Sequence, residues 1–225
     1  MNFKLNLTTF SKVIKTKLTF ALIQKPYLCI VMTNKTIMEK IIGTHNTMSY
    51  LPPKHWWQKP INYLFGQCQS KSFAHSLNPI EIYRAVDIRL VWTKKHGWEY
   101  AHGLVKYRSD ISVLALIDAM YWMGVKYFRL ILERDGGEAE FQCLCRHLSH
   151  SYNKCDVTFI GGYRKSDWEQ LYDFGTNDIP VHQWVGSMAD DARWYERFIP
   201  RLYAKRMNRK NMENLKEGIN LFDFI

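Results

Sequence analysis

Apolar and polar positions along the chain follow two alternating periods. Tyr83 to Trp92 reads YRAVDIRLVW, with β-branched and aromatic residues set between charged ones, and this predicts a strand. Ile111 to Met123 repeats its apolar positions at helical spacing and predicts a helix, with Ser109 or Asp110 as its cap. Tyr127 to Leu132 is a nearly continuous apolar run ending in Glu133, Arg134 and Asp135, which suits a strand buried on both faces. The pattern continues with a helix over Gly137 to Ser151 and a strand over Asp156 to Ile160, ended by Gly161-Gly162. A strand over Ile179 to Val185 and a long helix over Ala192 to Lys216 follow; Gly218 stops that helix, and Ile219 to Ile225 form a last strand. At the start, Glu39 to Met48 is apolar and then turns polar, a strand running into a loop. Strands alternating with helices predict βαβ units and a parallel sheet. Several strands end in polar residues, as in a barrel whose site lies at the strands' C-terminal face.

Composition narrows the class. Of 225 residues, 47% are hydrophobic and 23% charged, which fits a globular domain and excludes collagen, a coiled coil and a disordered tail. No uninterrupted apolar stretch reaches the roughly 18 residues a membrane-spanning helix needs. The net charge of +10 sits in two segments: residues 1–40 carry seven Lys against Glu39, and residues 193–216 carry eight Lys or Arg against Glu196 and Glu213. The rest of the chain sums to −2, so the basic balance describes no shared nucleic-acid face, and nucleic acid is not expected as a partner.

Residues 1–38 hold no Asp, Glu or Arg, and Gln24, Lys25 and Pro26 break their apolar runs. They make a poor secretory signal and a poor transit peptide. The expected organisation is a basic extension over 1–38, read as an early start codon, and a catalytic unit over 39–225. The compartment stays open between cytoplasm and exterior. The odd count of five Cys shows no disulfide framework. Cys143, His147 and His150 share one helix face, opposite Phe141, Leu144 and Leu148, and read as the solvated side rather than as a zinc site.

Three short segments stand out: Gly43-Thr44-His45-Asn46-Thr47, Asp87-Ile88-Arg89 and His102-Gly103. Two histidines can divide acid and base roles near neutral pH, and an arginine offers a planar fork to phosphate oxygens. In this order the segments resemble the X domain of phosphatidylinositol-specific phospholipase C. Its pattern is GTH[DN][ST], then [DE]xR inside a strand, then HG about fifteen residues on, and Asn220 to Ile225 resembles the last barrel strand of bacterial members, which carries an Asp, here Asp223. The resemblance is strong over 41–135 and thin over 136–215.

That resemblance implies a small or incomplete TIM-like (β/α)8 barrel, because 187 residues fall below the usual barrel length of about 250. It implies a phosphodiester hydrolase or lyase that works through a cyclic phosphate. His45 would be the general base, His102 the general acid and Arg89 the phosphate clamp; Asp87 would orient Arg89, and Asp223 would orient His45. Asn46, Glu133 and Arg164, with Tyr163 beside it, are the candidate substrate contacts.

Two departures matter. Bacterial members usually carry Asp where this chain has Asn46, as the calcium-dependent eukaryotic members do. Those eukaryotic members carry an acid where this chain has Ala85. With Arg89 in the cation's place, no metal and no cofactor are expected; calcium on Asn46, Asp87 and Glu133 is the alternative.

The expected partner is a phospholipid headgroup or small phosphodiester, acted on by a monomer. Trp56 and Trp57, between Pro53 and Pro60 and flanked by Lys54 and Lys59, are candidates for peripheral membrane contact. Two other functions compete. A glycerophosphodiesterase-like hydrolase would need a cluster of metal-binding acids, and only Glu133 and Asp135 are in view. A non-catalytic headgroup-binding module would not need intact His45, Arg89 and His102.

Overall fold

Inward and outward positions alternate along every parallel strand, and this parity sorts the chain into two cores. In a computed structural model, which describes residues 39–70, 83–163, 172–175 and 179–225, the strands are β1 (Lys40–Thr44), β2 (Tyr83–Thr93), β3 (Gly97–His102), β4 (Val105–Lys106), β5 (Tyr127–Leu132), β6 (Thr158–Tyr163), β7 (Val181–Trp184) and β8 (Gly218–Phe222). The main helices are α1 (Gln58–Ile61, running into a π-turn over Asn62–Gly66), α2 (Val113–Trp122), α3 (Glu138–Ser151) and α4 (Pro200–Glu213).

Six strands are parallel, in the order β6-β5-β2-β1-β8-β7. The second half of β2 also pairs with β3 antiparallel, and β3 with β4. The first and last strands are neighbours, Thr44 standing beside Phe222, as in a barrel. Among the described residues β6 and β7 do not pair, so the barrel is incomplete. Among the described residues six of the eight strands are parallel, and β3 with β4 forms an antiparallel hairpin inserted between β2 and α2.

Outward side chains of β2 and β5 (Val86, Ile88, Leu90, Phe128, Leu130, Leu132) pack on Leu116, Ile117 and Met120 of α2 and Phe141, Leu144 and Leu148 of α3. Inward, Ile41, Ala85, Ile160, Ile219 and Leu221 fill the barrel floor. Above that floor the inward positions become polar: Asp87 and Arg89 on β2 and Arg129 on β5 are all buried.

Gly43 sits where β1 and β2 shift register, and an added Cβ would lie 2.6 Å from Ala85, so only glycine lets the strands approach. Cys143 is exposed, and Phe141, Leu144 and Leu148 are buried, as the helix periodicity predicts.

Several element boundaries differ from the sequence expectation, each for a local reason. The long helix begins at Pro200, not Ala192, because proline suits the first turn and disrupts an interior; residues 185–199 form turns and bends instead. The cap of α2 is Ser112, whose Oγ accepts from Ala115 N at 3.3 Å; Ser109 closes a turn on Ile111 N instead. Strand β6 runs through Gly161-Gly162, since a Cβ at Gly161 would crowd the Phe174 ring at 3.2 Å. The last strand stops at Phe222, and Phe224 takes a left-handed φ of 52°. No helix among the described residues is long and apolar enough to cross a membrane.

Candidate active site

The loop after β1 is built by its own short side chains. Thr44 and Thr47 hydroxyls bond at 2.6 Å, and Thr47 Oγ1 accepts the β2 amide of Asp87 at 3.0 Å. Asn46 adopts φ 44°, a left-handed turn that asparagine tolerates. Its amide N–H donates to Asp87 Oδ2 at 3.0 Å. This turn points His45 inward over the barrel, with its N–H on Phe222 O at 2.9 Å.

His45 is buried and bonded at both ring nitrogens. Nδ1 lies 2.7 Å from Asp223 Oδ1, across a sequence separation of 178 residues. Nε2 lies 2.6 Å from Arg89 Nη2. A guanidinium can only donate, so Nε2 is the acceptor and Nδ1 carries the proton that Asp223 receives. The pair of neighbours thereby selects one tautomer, with the lone pair on the side of Arg89.

Arg89 serves three partners. Nε donates to Asp87 Oδ2 at 2.9 Å, Nη2 faces His45, and Nη1 stands 3.6 Å from Glu133 Oε2. Asp87 is fully buried beside Arg129, whose Nη1 donates to Oδ1 at 3.2 Å. Burial alone would raise the Asp87 carboxyl; the guanidinia of Arg89 and Arg129 outweigh it and hold the group well below the usual carboxylate range. Asp87 is therefore ionised at every pH where the protein works.

The sign for stability follows. A carboxylate with a depressed native pKa stabilises the fold above its unfolded value of about 3.9, and loses that contribution as pH falls below it. Asp87→Asn, which leaves two buried guanidinia without their shared carboxylate, is expected to cost about 3–5 kcal/mol. Denaturant unfolding should show that gap constant from pH 7 to pH 5 and narrowing below about pH 4.

His102 ends β3, half-buried, and its Nδ1 donates to Gly66 O at 3.0 Å. The rings of His45 and His102 lie edge to face, with centroids 5.9 Å apart. The turn after His102 is held by Glu133, which accepts Gly103 N at 2.6 Å, and by Arg134, which donates to Gly103 O. Five sequence-derived residues, His45, Asp87, Arg89, His102 and Asp223, thus come together at the strands' C-terminal ends. Glu133 joins them at the rim, against Arg89.

Asn46 is buried, its amide group 3.4 Å from Gly66 O, and it links the β1 loop to β2 and to the π-turn. Arg164 lies outside the described residues, and Tyr163 is the last residue of β6. A cavity of about 540 Å³ along β7 and α4 shares no residue with this cluster.

Sequence reading missed Arg129, Gly66, Cys68 and Gln69. Arg129 did carry a signal: a lone charge at an inward position of an apolar strand. The other three carry none, because loop packing alone brings them in. Gln69 Nε2 donates to the carbonyls of His45 and Phe222, at 3.0 and 2.9 Å, and closes the floor of the site.

A histidine pair, a carboxylate-bound imidazole and a buried guanidinium thus stand together on an incomplete barrel. No family model and no curated protein matches the sequence. Among solved structures, the phosphatidylinositol-specific phospholipase C of Listeria monocytogenes matches with a TM-score of 0.54 and 17% identity, over 83% of this chain and 88% of that one. An F249X mutant of the phosphatidylinositol-specific phospholipase C of Staphylococcus aureus matches with a TM-score of 0.52 and 11% identity, over 83% and 86%. The chain has a TIM-like fold similar to that of these bacterial phosphatidylinositol-specific phospholipases C.

Proposed function

We propose that the protein is a metal-independent phosphodiesterase that cleaves a phosphodiester by attack of a neighbouring substrate hydroxyl. The observation that carries this reading is the fixed tautomer of His45, held between Asp223 and Arg89 and facing His102. Bound phosphate would draw the Arg89 fork onto its oxygens and release Nε2. Nε2 then takes the hydroxyl proton as the new O–P bond forms. His102, protonated and anchored by Nδ1 on Gly66 O, gives its Nε2 proton to the leaving alcohol. The first product is a cyclic phosphodiester, which water can open with the two roles reversed.

Calcium fits this residue set poorly. Both oxygens of Asp87 are taken by Arg89, Arg129 and Asn46 N, and the Arg89 guanidinium lies between Asp87 and Glu133, where a cation would sit. A hard cation needs several free oxygens, and these are committed. Phosphorus NMR of the protein with phosphatidylinositol vesicles and with a soluble aryl phosphodiester of inositol tests the reading. A cyclic phosphodiester should accumulate first, and chelator should not lower the rate. Turnover of no phosphodiester would leave a binding module, and strict calcium dependence would refute the metal-free site.

A lipid surface is the proposed setting. Trp56, Trp57, Tyr63, Phe65 and Leu104 are all exposed, Trp56 at 81%. Gln58 Nε2 donates to Leu104 O at 2.8 Å, which ties α1 to the turn after His102. The same segment ends at Gly66, the partner of His102. Exposed rings beside a site mouth suit the membrane interface, where indoles reside. The double change Trp56→Ala and Trp57→Ala should weaken vesicle partitioning at least about tenfold, since an inserted apolar ring is worth about 1.5 kcal/mol or more. Turnover of a soluble phosphodiester should not change. Vesicle sedimentation reads the first effect, and equal partitioning of the double variant would remove these rings from the interface.

A further inference from the structure

Cys68 has no part in the acid–base scheme, yet it is fully buried against it. Backbone bonds set its place. Cys68 N and Gln69 N both donate to Ser49 Oγ at 2.9 Å, and Gln69 clamps the carbonyls of His45 and Phe222. A ring nitrogen of His45, Cys68 Sγ and a carboxylate oxygen of Asp223 consequently lie within 4.8 Å of one another, all on buried residues. Among the described residues no other group of three such ligand atoms meets in this way.

A second observation points the same way. Asp223 Oδ1 receives His45 Nδ1, while Oδ2 is buried with no close hydrogen-bond partner; the carboxylate's other neighbour is the Cys68 thiol, which burial and Asp223 itself hold protonated. A buried carboxylate oxygen with at most a weak thiol donor is costly, and a cation would satisfy it. The surrounding charge permits one. Three buried carboxylates (Asp87, Glu133, Asp223) face two buried guanidinia (Arg89, Arg129), leaving one net negative charge before any thiol ionises. Imidazole nitrogen, thiolate sulfur and carboxylate oxygen together form a donor set for a borderline-soft divalent ion, not for a hard one.

We propose that His45, Cys68 and Asp223 form an inhibitory site for a thiophilic divalent cation of the zinc class. The inhibition rests on the phosphodiesterase reading; the binding does not. Binding releases the Cys68 Sγ proton to solvent and forms the sulfur–metal bond. The imidazole proton moves from Nδ1 to Nε2, and the freed Nδ1 lone pair binds the ion. Arg89 then faces an N–H instead of a lone pair and must withdraw. Nε2, now protonated, accepts no proton from substrate, so the base is switched off.

Two titrations of the whole protein test this. The first sets zinc against a chromogenic chelator; the second uses cobalt(II), whose thiolate charge-transfer absorption in the near ultraviolet reports sulfur ligation. Wild type and Cys143→Ser should each bind one ion with that absorption. Cys68→Ser should lose the absorption and bind zinc more weakly by over the roughly 10–100-fold that loss of an outer-shell partner costs. Asp223→Asn, nearly isosteric, should also weaken zinc. Zinc should lower the wild-type rate and chelator restore it; in Cys68→Ser, zinc's effect on that variant's own metal-free rate should shift by the same factor as its affinity. A cobalt spectrum of wild type without the thiolate absorption, or one that persists in Cys68→Ser, would overturn the site. Zinc bound at Cys68 with the wild-type rate unchanged would overturn the inhibition. If no phosphodiester is turned over at all, the two titrations still decide the binding.

Discussion

His45→Ala and His102→Ala should each lower turnover on the order of 10³–10⁴-fold, at the upper end of what a positioned acid or base supplies, and the double variant should be no slower than either single. The reason is geometric. The rings face one another across 5.9 Å, and in the proposed scheme one proton leaves the attacking hydroxyl while another reaches the leaving oxygen. Remove either and the other has no step to assist. Steady-state rates of the three variants on a soluble phosphodiester check this. A double-variant loss equal to the product of the single losses would mean that the histidines act independently, and the two-histidine scheme would fail. His45→Ala also leaves Asp223 and Arg89 without their shared partner, so unfolding midpoints should be measured beside the rates.

Arg89→Lys should cost at least about a hundredfold in kcat/KM. Arg89 spans Asp87, His45 and Glu133 with three separate nitrogens, and burial, which alone would lower its pKa, is outweighed by Asp87 and Glu133, so the charge is permanent. An ammonium is a single point of charge on a flexible stem and can satisfy one of these partners at a time. Two effects therefore combine: the phosphate loses its bidentate clamp, and His45 Nε2 loses the donor that selects its tautomer. The second effect makes a distinctive mark, a change in the acid limb of the pH–rate profile that a loss of phosphate affinity alone would not produce. A variant with KM raised and both kcat and the profile unchanged would limit Arg89 to ground-state binding.

Strand patterning, together with short motifs and the family they resemble, made much of this site legible before any fold was known. Strand β5 was visible as an apolar run with a polar end, because a strand buried on both faces must be apolar except where it meets a site, and β2 as β-formers set between charged residues. Short motifs carried His45, Asp87, Arg89 and His102, since each needs its neighbours for local reasons: Gly43 for close approach to β2, Thr47 to hold the loop, and Asn46 to turn it. The meeting of His45 with Asp223 was also expected, because a barrel brings its first and last strands together, and β1 and β8 do pair.

Other features depend on distant segments and left no mark in the pattern. Arg129 reaches Asp87 because β5 pairs in register beside β2, and register is a property of two strands, not of one. The insertion of the β3–β4 hairpin before α2, and the gap between β6 and β7 among the described residues, follow from which strand edges find partners. Gly66, Cys68 and Gln69 belong to a loop with no period; hydrogen bonds to Ser49, His45 and Phe222 put them under the loop that carries His45. Local propensity and alternation are written in consecutive residues and can be read from them. Contacts between residues far apart in the chain exist only once packing has selected one arrangement of the segments, and that selection made a histidine, a thiol and a half-satisfied carboxylate neighbours.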